Sequence, residues 1–313
     1  FMSRPLLERV QKAAAALFDL DVRQITTPLS GDEMRRALSD YDAVVPTLGD
    51  MFSAEVFADV PRPRCRLLAN FGVGYNHIDV AAAKAAGIAV TNTPGAVTDA
   101  TADTAMCLML MTARRAGEGE RLLRAGRWEG WHPTQLLGMH LSGKTVGIVG
   151  MGRIGQAVAH RCHFGFGMAV AYHNRSPKTL DFPAVRKSTL LELASAVDVL
   201  VIAVPGGAET HHLIDARVLG AMQPHAHLVN IARGNVVEES ALIVALQNGQ
   251  IAGAGLDVYE FEPEVPQALI AMENVALLPH LGTAALEVRE DMGMMSVDNL
   301  AAFFDGKALP NAV

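Results

Sequence analysis

Three side chains capable of proton or anion chemistry stand at the ends of three successive apolar runs. Arg233 closes Leu228-Val-Asn-Ile-Ala-Arg233-Gly234. Glu262 follows Gly255-Leu-Asp257-Val-Tyr-Glu260-Phe, and His280 follows Val275-Ala-Leu-Leu-Pro. Singly, each has an ordinary reading: a surface arginine, a turn glutamate before Pro263, a packed histidine. Together they supply what hydride chemistry at a carbonyl requires. One group carries a proton to the oxygen, one orients that carrier, and one cation fixes a charged part of the substrate. Apolar runs of this kind read as strands of an α/β sheet. Such sheets bind ligands beyond the carboxyl ends of their strands, which is where these three residues fall.

A fourth strand end carries Gly150-Met-Gly152-Arg153-Ile154-Gly155, directly after Lys144-Thr-Val-Gly-Ile-Val149 and ahead of apolar residues at helical spacing. G-x-G-x-x-G is weak by itself and could be a Gly-rich turn of an ordinary α/β unit. Between a strand and a helix it has the context of a dinucleotide site. The first glycine makes the turn, the second admits a pyrophosphate, and the third lets helix and strand pack. The helix N-terminus then offers unpaired N–H groups to the phosphates. The next strand, Ala169–Tyr172, ends in His173-Asn174-Arg175-Ser176, with no acid before Asp181. An acid there would hold two ribose hydroxyls and repel a 2′-phosphate. Arg175 could pair with that phosphate, and Asn174 and Ser176 could donate to it, so NADP(H) is expected over NAD(H). The alternative is a solvated basic turn with a permissive site.

The elements that must position these residues follow from pattern and composition. The chain has 313 residues, half of them hydrophobic, a net charge of −7 and no basic stretch, which argues against a nucleic-acid partner. No apolar run reaches membrane-spanning length and no leading signal segment is seen, so a cytoplasmic protein is expected. Cys65, Cys107 and Cys162 are scattered; buried thiols are expected, with no zinc spacing and no metal. Helices are expected over 6–18, 32–38 and 100–123, and strands over 24–27, 42–46, 66–71 and 88–92. Six further strands follow, over 145–149, 169–172, 199–204, 228–231, 255–258 and 275–278, and a last helix over about 286–304. Its stripe of Met292, Met294, Met295, Leu300 and Phe303 reads as core packing. The fold class is therefore α/β with two Rossmann-like doubly wound parallel-sheet domains. One is a flavodoxin-like substrate domain of residues 1–100 and 286–313. The other is an NADP-binding domain of residues 101–285. The helix from Ala100 is apolar on many faces, and both tryptophans, Trp128 and Trp131, lie in one loop, so a homodimer through these elements is expected.

Arg233 in N-I-A-R-G, Glu262 in L-D-V-Y-E-F-E-P and His280 in L-P-H-L-G-T-A match, in order and spacing, the D-isomer-specific 2-hydroxyacid dehydrogenases. The resemblance covers nearly the whole chain. Within the family, Trp131–Gly138 and Tyr172–Pro177 look like the NADPH-dependent glyoxylate/hydroxypyruvate reductases. The resemblance implies His280 as acid/base, Glu262 as the partner that fixes its tautomer, and Arg233 as the group that binds the substrate carboxylate and polarises its keto oxygen. It also implies carboxylate binding by backbone N–H groups of Asn70–Asn76, with Val73 and Gly74 as candidates and Leu48 packing nearby. By motif, the cofactor contacts would be Thr101, Gly150, Gly152, Arg153, Ile154, Gly155, Asn174, Arg175, Ser176, Val204, Pro205, Thr210, Ile231, Ala232, Asp257, His280 and Gly282. Gly206 and Gly207 replace a bulkier pair usual in the family, which suggests a looser adenine pocket. Gln135 stands where some relatives send a tryptophan into the neighbouring subunit's site. Glyoxylate or hydroxypyruvate is the expected substrate. A 2-keto sugar acid such as 2-ketogluconate, or a non-enzymatic cofactor-sensing corepressor scaffold, are the alternatives.

Overall fold

The computed structural model describes residues 1–313 and divides them into two compact units, Phe1–Val97 with Ala284–Val313, and Thr98–Thr283.

The first unit holds a parallel sheet of β1 (Ala43–Val44), β2 (Leu67–Ala69) and β3 (Ala89–Thr91). Single bridges extend it: Met2 pairs with Val45 on one side and Val22 on the other. Counting these, the order of segments is 2-1-3-4-5, the flavodoxin-like arrangement. The period of two decides which face each side chain covers. Ala43, Val45, Leu67 and Ala69 pack with Val10, Val297 and Leu300 beneath helices Glu8–Ala15 and Leu286–Phe304. Val44, Leu68 and Val90 face Met34, Leu38, Val56 and Phe57 on the other side. The two covering helices approach closely because residue 293 is glycine; a Cβ there would lie 2.4 Å from Val10 Cγ2. The strand expected over 24–27 does not form. The chain pairs only at Val22, and Arg23 then turns it away, donating to the Ile25 and Thr27 carbonyls.

The second unit holds seven parallel strands: β4 (Thr145–Val149), β5 (Ala169–His173), β6 (Val185–Arg186), β7 (Val199–Ile202), β8 (His227–Asn230), β9 (Gly253–Leu256) and β10 (Val275–Leu277). Their order is β10-β9-β8-β7-β4-β5-β6, a doubly wound sheet whose direction of winding reverses between β4 and β7. All residues of β7, β8 and β9 are buried, as a sheet covered on both faces requires. β6, with both residues exposed, carries no hydrophobic signal and escapes a reading based on pattern.

The long helix expected over 100–123 is two helices, Thr98–Ala113 and Ala116–Arg124. Arg115 between them adopts a left-handed backbone, φ 51°. The Ala113 carbonyl is taken by the Met139 N–H at 2.7 Å instead of continuing the helix. The first helix lies close on β9 because that strand is glycine-rich; a Cβ at Gly255 would meet Leu108 Cβ at 2.9 Å. Its outer strip includes Cys107 and Leu110, both exposed, so Cys107 is not the buried thiol expected from composition. Cys65 and Cys162 are buried, and burial raises each thiol to about 12.

Candidate active site

The carboxyl end of β4 turns at Gly150, φ 94°. A side chain there would strike Val204 Cγ1 at 2.7 Å and the Ala203 carbonyl oxygen at 2.8 Å. Gly155 sits one helical turn on, where a Cβ would lie 2.1 Å from the Gly150 carbonyl oxygen. Gly152 differs from both: a Cβ there would meet nothing within 4 Å. It is the residue before the helix Arg153–His160, and no side chain caps that helix. Two glycines are thus required for packing, while the third keeps a surface beside uncapped N–H groups that a pyrophosphate fits.

The end of β5 is latched to this turn. The Gly150 N–H donates to the His173 carbonyl at 3.0 Å, and the Met151 N–H donates to Asn174 Oδ1 at 3.1 Å. Asn174 Nδ2 donates to the Ser176 carbonyl. Arg175 projects into solvent, 90% exposed, and pairs with Glu209 at 3.1 Å. Arg186 on β6 donates to the carbonyls of Asn174 and Arg175, so a second guanidinium supports this loop.

Beyond β7, Val204 and Pro205 lead into Gly206, where a Cβ would fall 2.6 Å from Arg233 Cγ. Gly206 therefore seats the stem of Arg233 rather than merely loosening a pocket. Thr210 Oγ1 donates to the Pro205 carbonyl and closes this loop.

At the end of β8, Ile231 and Ala232 are buried and Arg233 is partly buried. Asn230 clamps the turn: its Oδ1 accepts from the Ala232 N–H and its Nδ2 donates to the Arg233 carbonyl, each at 3.0 Å. Gly234 follows because a Cβ there would overlap the backbone of Tyr259. Burial lowers the guanidinium's ordinary pKa, and nearby Glu262 opposes the shift.

Glu262, ahead of a cis bond to Pro263, and His280 meet directly, with His280 Nδ1 2.8 Å from Glu262 Oε2. Glu262 Oε1 accepts from the Tyr259 N–H at 3.0 Å. Burial alone would raise the Glu262 carboxyl. The His280 contact, the Tyr259 N–H and Arg233 outweigh it, so the carboxyl lies below its ordinary value. His280 holds a left-handed backbone, φ 55°. Asp257, 1% exposed, fixes that conformation. Its carbonyl accepts the His280 N–H, and its two carboxylate oxygens accept from Leu281 and Gly282. Burial raises the Asp257 carboxyl despite these bonds. Thr101 Oγ1 donates to the Gly282 carbonyl at 3.1 Å, tying the helix Thr98–Ala113 to the same turn.

One sheet edge thus gathers Arg233, Glu262, His280, Asp257 and Gly282 with the glycine turn. Sequence reading did not single out Asn230 or Tyr259. Asn230 had a signal, a lone amide inside an apolar strand; a backbone donor such as the Tyr259 N–H has none. In the other unit, Thr47 bridges Phe71, which brings Leu48 alongside the start of the turn that holds Val73 and Gly74. The Gly72 and Gly74 carbonyls accept from Asn70 Nδ2, and the Val73 carbonyl accepts from Asn92 Nδ2.

A doubly wound sheet with a glycine turn at its switch point, and an imidazole–carboxylate pair near an arginine, defines a dinucleotide-dependent oxidoreductase. The profile of the D-isomer specific 2-hydroxyacid dehydrogenase family, NAD binding domain, matches residues 106–282, and the chain belongs to that family. It is 42% identical over 319 residues to a glyoxylate reductase of Thermococcus gammatolerans, covering 100% of this chain and 95% of the relative. A glyoxylate reductase of Thermococcus kodakarensis is 43% identical over 323 residues, with the same coverage. Among solved structures, the NADPH-dependent glyoxylate/hydroxypyruvate reductase of Sinorhizobium meliloti, in complex with NADP and malonate, superposes with a TM-score of 0.88 at 39% identity. That likeness spans 100% of this chain and 95% of the other. No helix of the chain is long and apolar enough to cross a membrane.

Proposed function

We propose that the chain reduces a small 2-keto acid of the glyoxylate or hydroxypyruvate class to the D-2-hydroxy acid, with NADP(H) as cofactor. The observation that carries this reading is the His280–Glu262 contact at 2.8 Å beside the partly buried Arg233. When bound, the cofactor supplies the hydride. Because His280 Nδ1 is engaged by Glu262, Nε2 is the nitrogen that gives a proton to the carbonyl oxygen. Glu262 holds the ring and fixes its tautomer. Arg233 pairs with the substrate carboxylate and polarises the keto oxygen. Val73, Gly74 and Leu48 are proposed for substrate contact on the strength of the family resemblance.

For the cofactor, Gly150, Gly152, Gly155, Arg153 and Ile154 would hold the pyrophosphate. Val204, Pro205 and Thr210 would flank adenosine. Ile231 and Ala232 would flank the nicotinamide ribose, with Asp257, Gly282, His280 and Thr101 about the carboxamide. Arg175 with Asn174 and Ser176 would take the 2′-phosphate. The pair that Arg175 makes with Glu209 is no obstacle. An exposed ion pair is worth about 0–1 kcal/mol, against about 1.5–3 kcal/mol for a hydrogen bond to a charged group. The likeness to the Sinorhizobium enzyme with NADP supports this choice. The protein is proposed to act as a homodimer.

The test is a panel of 2-keto acids, glyoxylate, hydroxypyruvate and 2-ketogluconate among them, assayed with NADPH and with NADH. Highest kcat/KM for a two- or three-carbon acid with NADPH is expected. Silence towards every short keto acid would overturn the activity, and preference for NADH would overturn the cofactor assignment.

A further inference from the structure

A second cluster of chemically capable side chains lies outside the His280–Glu262 pair. His211 and His212 end the loop after β7, and Glu260 lies in the loop after β9. One potential ligand atom from each residue lies within 4.8 Å of the other two. His212 Nε2 and Glu260 Oε1 are in contact at 2.7 Å. The His211 ring stacks on that of His212, centroids 3.9 Å apart and planes inclined by 28°. We propose that His211, His212 and Glu260 form a site for one borderline divalent cation, Zn2+ or its neighbours Ni2+ and Cu2+.

Three features argue for a built arrangement. First, His212 is held in a left-handed backbone, φ 50°, with its N–H donating to the Asn235 carbonyl at 2.8 Å. A histidine in that conformation persists where the surroundings fix it. Second, Glu260 is oriented from behind. Its Oε2 accepts from the Glu239 N–H, and its own N–H donates to Glu239 Oε2, each at 3.3 Å. Outer contacts of this kind aim a ligating carboxylate. Third, His211 is exposed and the His212 side chain is 34% exposed, so an ion can enter from solvent.

The donor set decides the ion. Two imidazoles and one carboxylate suit zinc, nickel and copper, whereas magnesium and calcium ask for oxygen ligands. Two histidines and a glutamate are also a known zinc set that leaves a position for water. Zinc bonds of about 2.0–2.1 Å place ligand atoms roughly 3.3 Å apart, so ligation by both imidazoles requires the stacked His211 and His212 rings to part and turn their nitrogens towards the ion. The ion takes the place of the hydrogen between His212 Nε2 and Glu260 Oε1, and the imidazole ligates as its neutral tautomer with the proton on Nδ1. The two halves of the site are 48 residues apart, so linear spacing does not show it.

The experiment titrates ZnCl2 into tag-free, chelator-stripped protein by calorimetry, with Co2+ absorption spectra as a second readout. One Zn2+ per chain is expected, little affected by excess Mg2+. His211→Ala and Glu260→Gln should each weaken binding by at least about tenfold. Their melting temperatures without metal should match the parent, because His211 is exposed and Gln keeps the size of Glu. No saturable binding, or equal affinity in His211→Ala with an unchanged cobalt spectrum, would overturn the site. Displacement of Zn2+ by equimolar Mg2+ would overturn the choice of ion.

Discussion

His280 carries two constraints at once: its ring is held by Glu262 and its backbone is left-handed. Backbone of that kind costs a non-glycine residue roughly 1–2 kcal/mol, and the three N–H bonds to Asp257 offset it. His280→Ala should therefore leave the cofactor turn intact and lose the proton carrier. A kcat loss of about 10²–10⁴-fold is expected with NADPH affinity, read by fluorescence quenching, close to the parent. Near-normal kcat would remove His280 from the reaction. Glu262→Gln keeps the size of the group and removes the anion beside the imidazole. Its kcat should fall less than in His280→Ala, and a kcat equal to the parent's would count against the pair. That Arg233, Glu262 and His280 come together was legible because each stands at a strand end. Asp257 was legible as a polar residue there, but its work on the His280 turn was not, since its partners are backbone N–H groups brought near by folding.

At the scale of elements, the glycines state which turns must stay closed. Gly206 is the informative one, because its missing side chain is space for the stem of Arg233. In Gly206→Ala the new Cβ would sit 2.6 Å from Arg233 Cγ, so the guanidinium must move. A misplacement of about 1 Å can cost on the order of 10²-fold, so kcat/KM for the keto acid should drop by roughly 10–100-fold. NADPH affinity should change little, and equal losses in both would mean that the loop itself has shifted. Periodicity placed β4 and the last helix, Leu286–Phe304, with their observed bounds. It failed where local pattern and tertiary bonding disagree. The apolar run from Ala100 continues past Ala113, yet the Met139 N–H takes the Ala113 carbonyl and Arg115 turns the chain. At 24–27 the β-branched residues promise a strand, but no neighbouring strand pairs with them.

At the scale of the whole molecule, two surfaces of the second unit make predictions. Leu123, Trp128, Trp131 and Leu137 are each at least half exposed, Trp131 by 81%, and isolated domains seldom leave both tryptophans in water. Sedimentation should give twice the 33.3 kDa chain mass at micromolar concentration, and Trp131→Asp should weaken that association. A parent sedimenting as a single chain would sink the dimer. The other surface is the opening of the sheet beneath β8, where His227 is 7% exposed and its Nδ1 lies 2.9 Å from Thr112 Oγ1. Burial first, and then the charge of His225, lower the His227 pKa from 6.5 to about 4. Above pH 6.5 the ring is neutral folded or unfolded and adds no pH dependence. Between 6.5 and 4 the unfolded chain binds a proton that the folded chain refuses, so stability falls as pH falls. Below 4 both states bind it and the loss is complete, on the order of 3 kcal/mol. Urea melts across this window should show that loss as a falling midpoint. In His227→Gln, which keeps a polar partner for Thr112 and cannot titrate, the acid limb should be shallower by about that amount. An equally steep limb would assign the acid sensitivity to other groups, foremost the Glu262 carboxyl, whose lowered value in the folded state acts in the same direction.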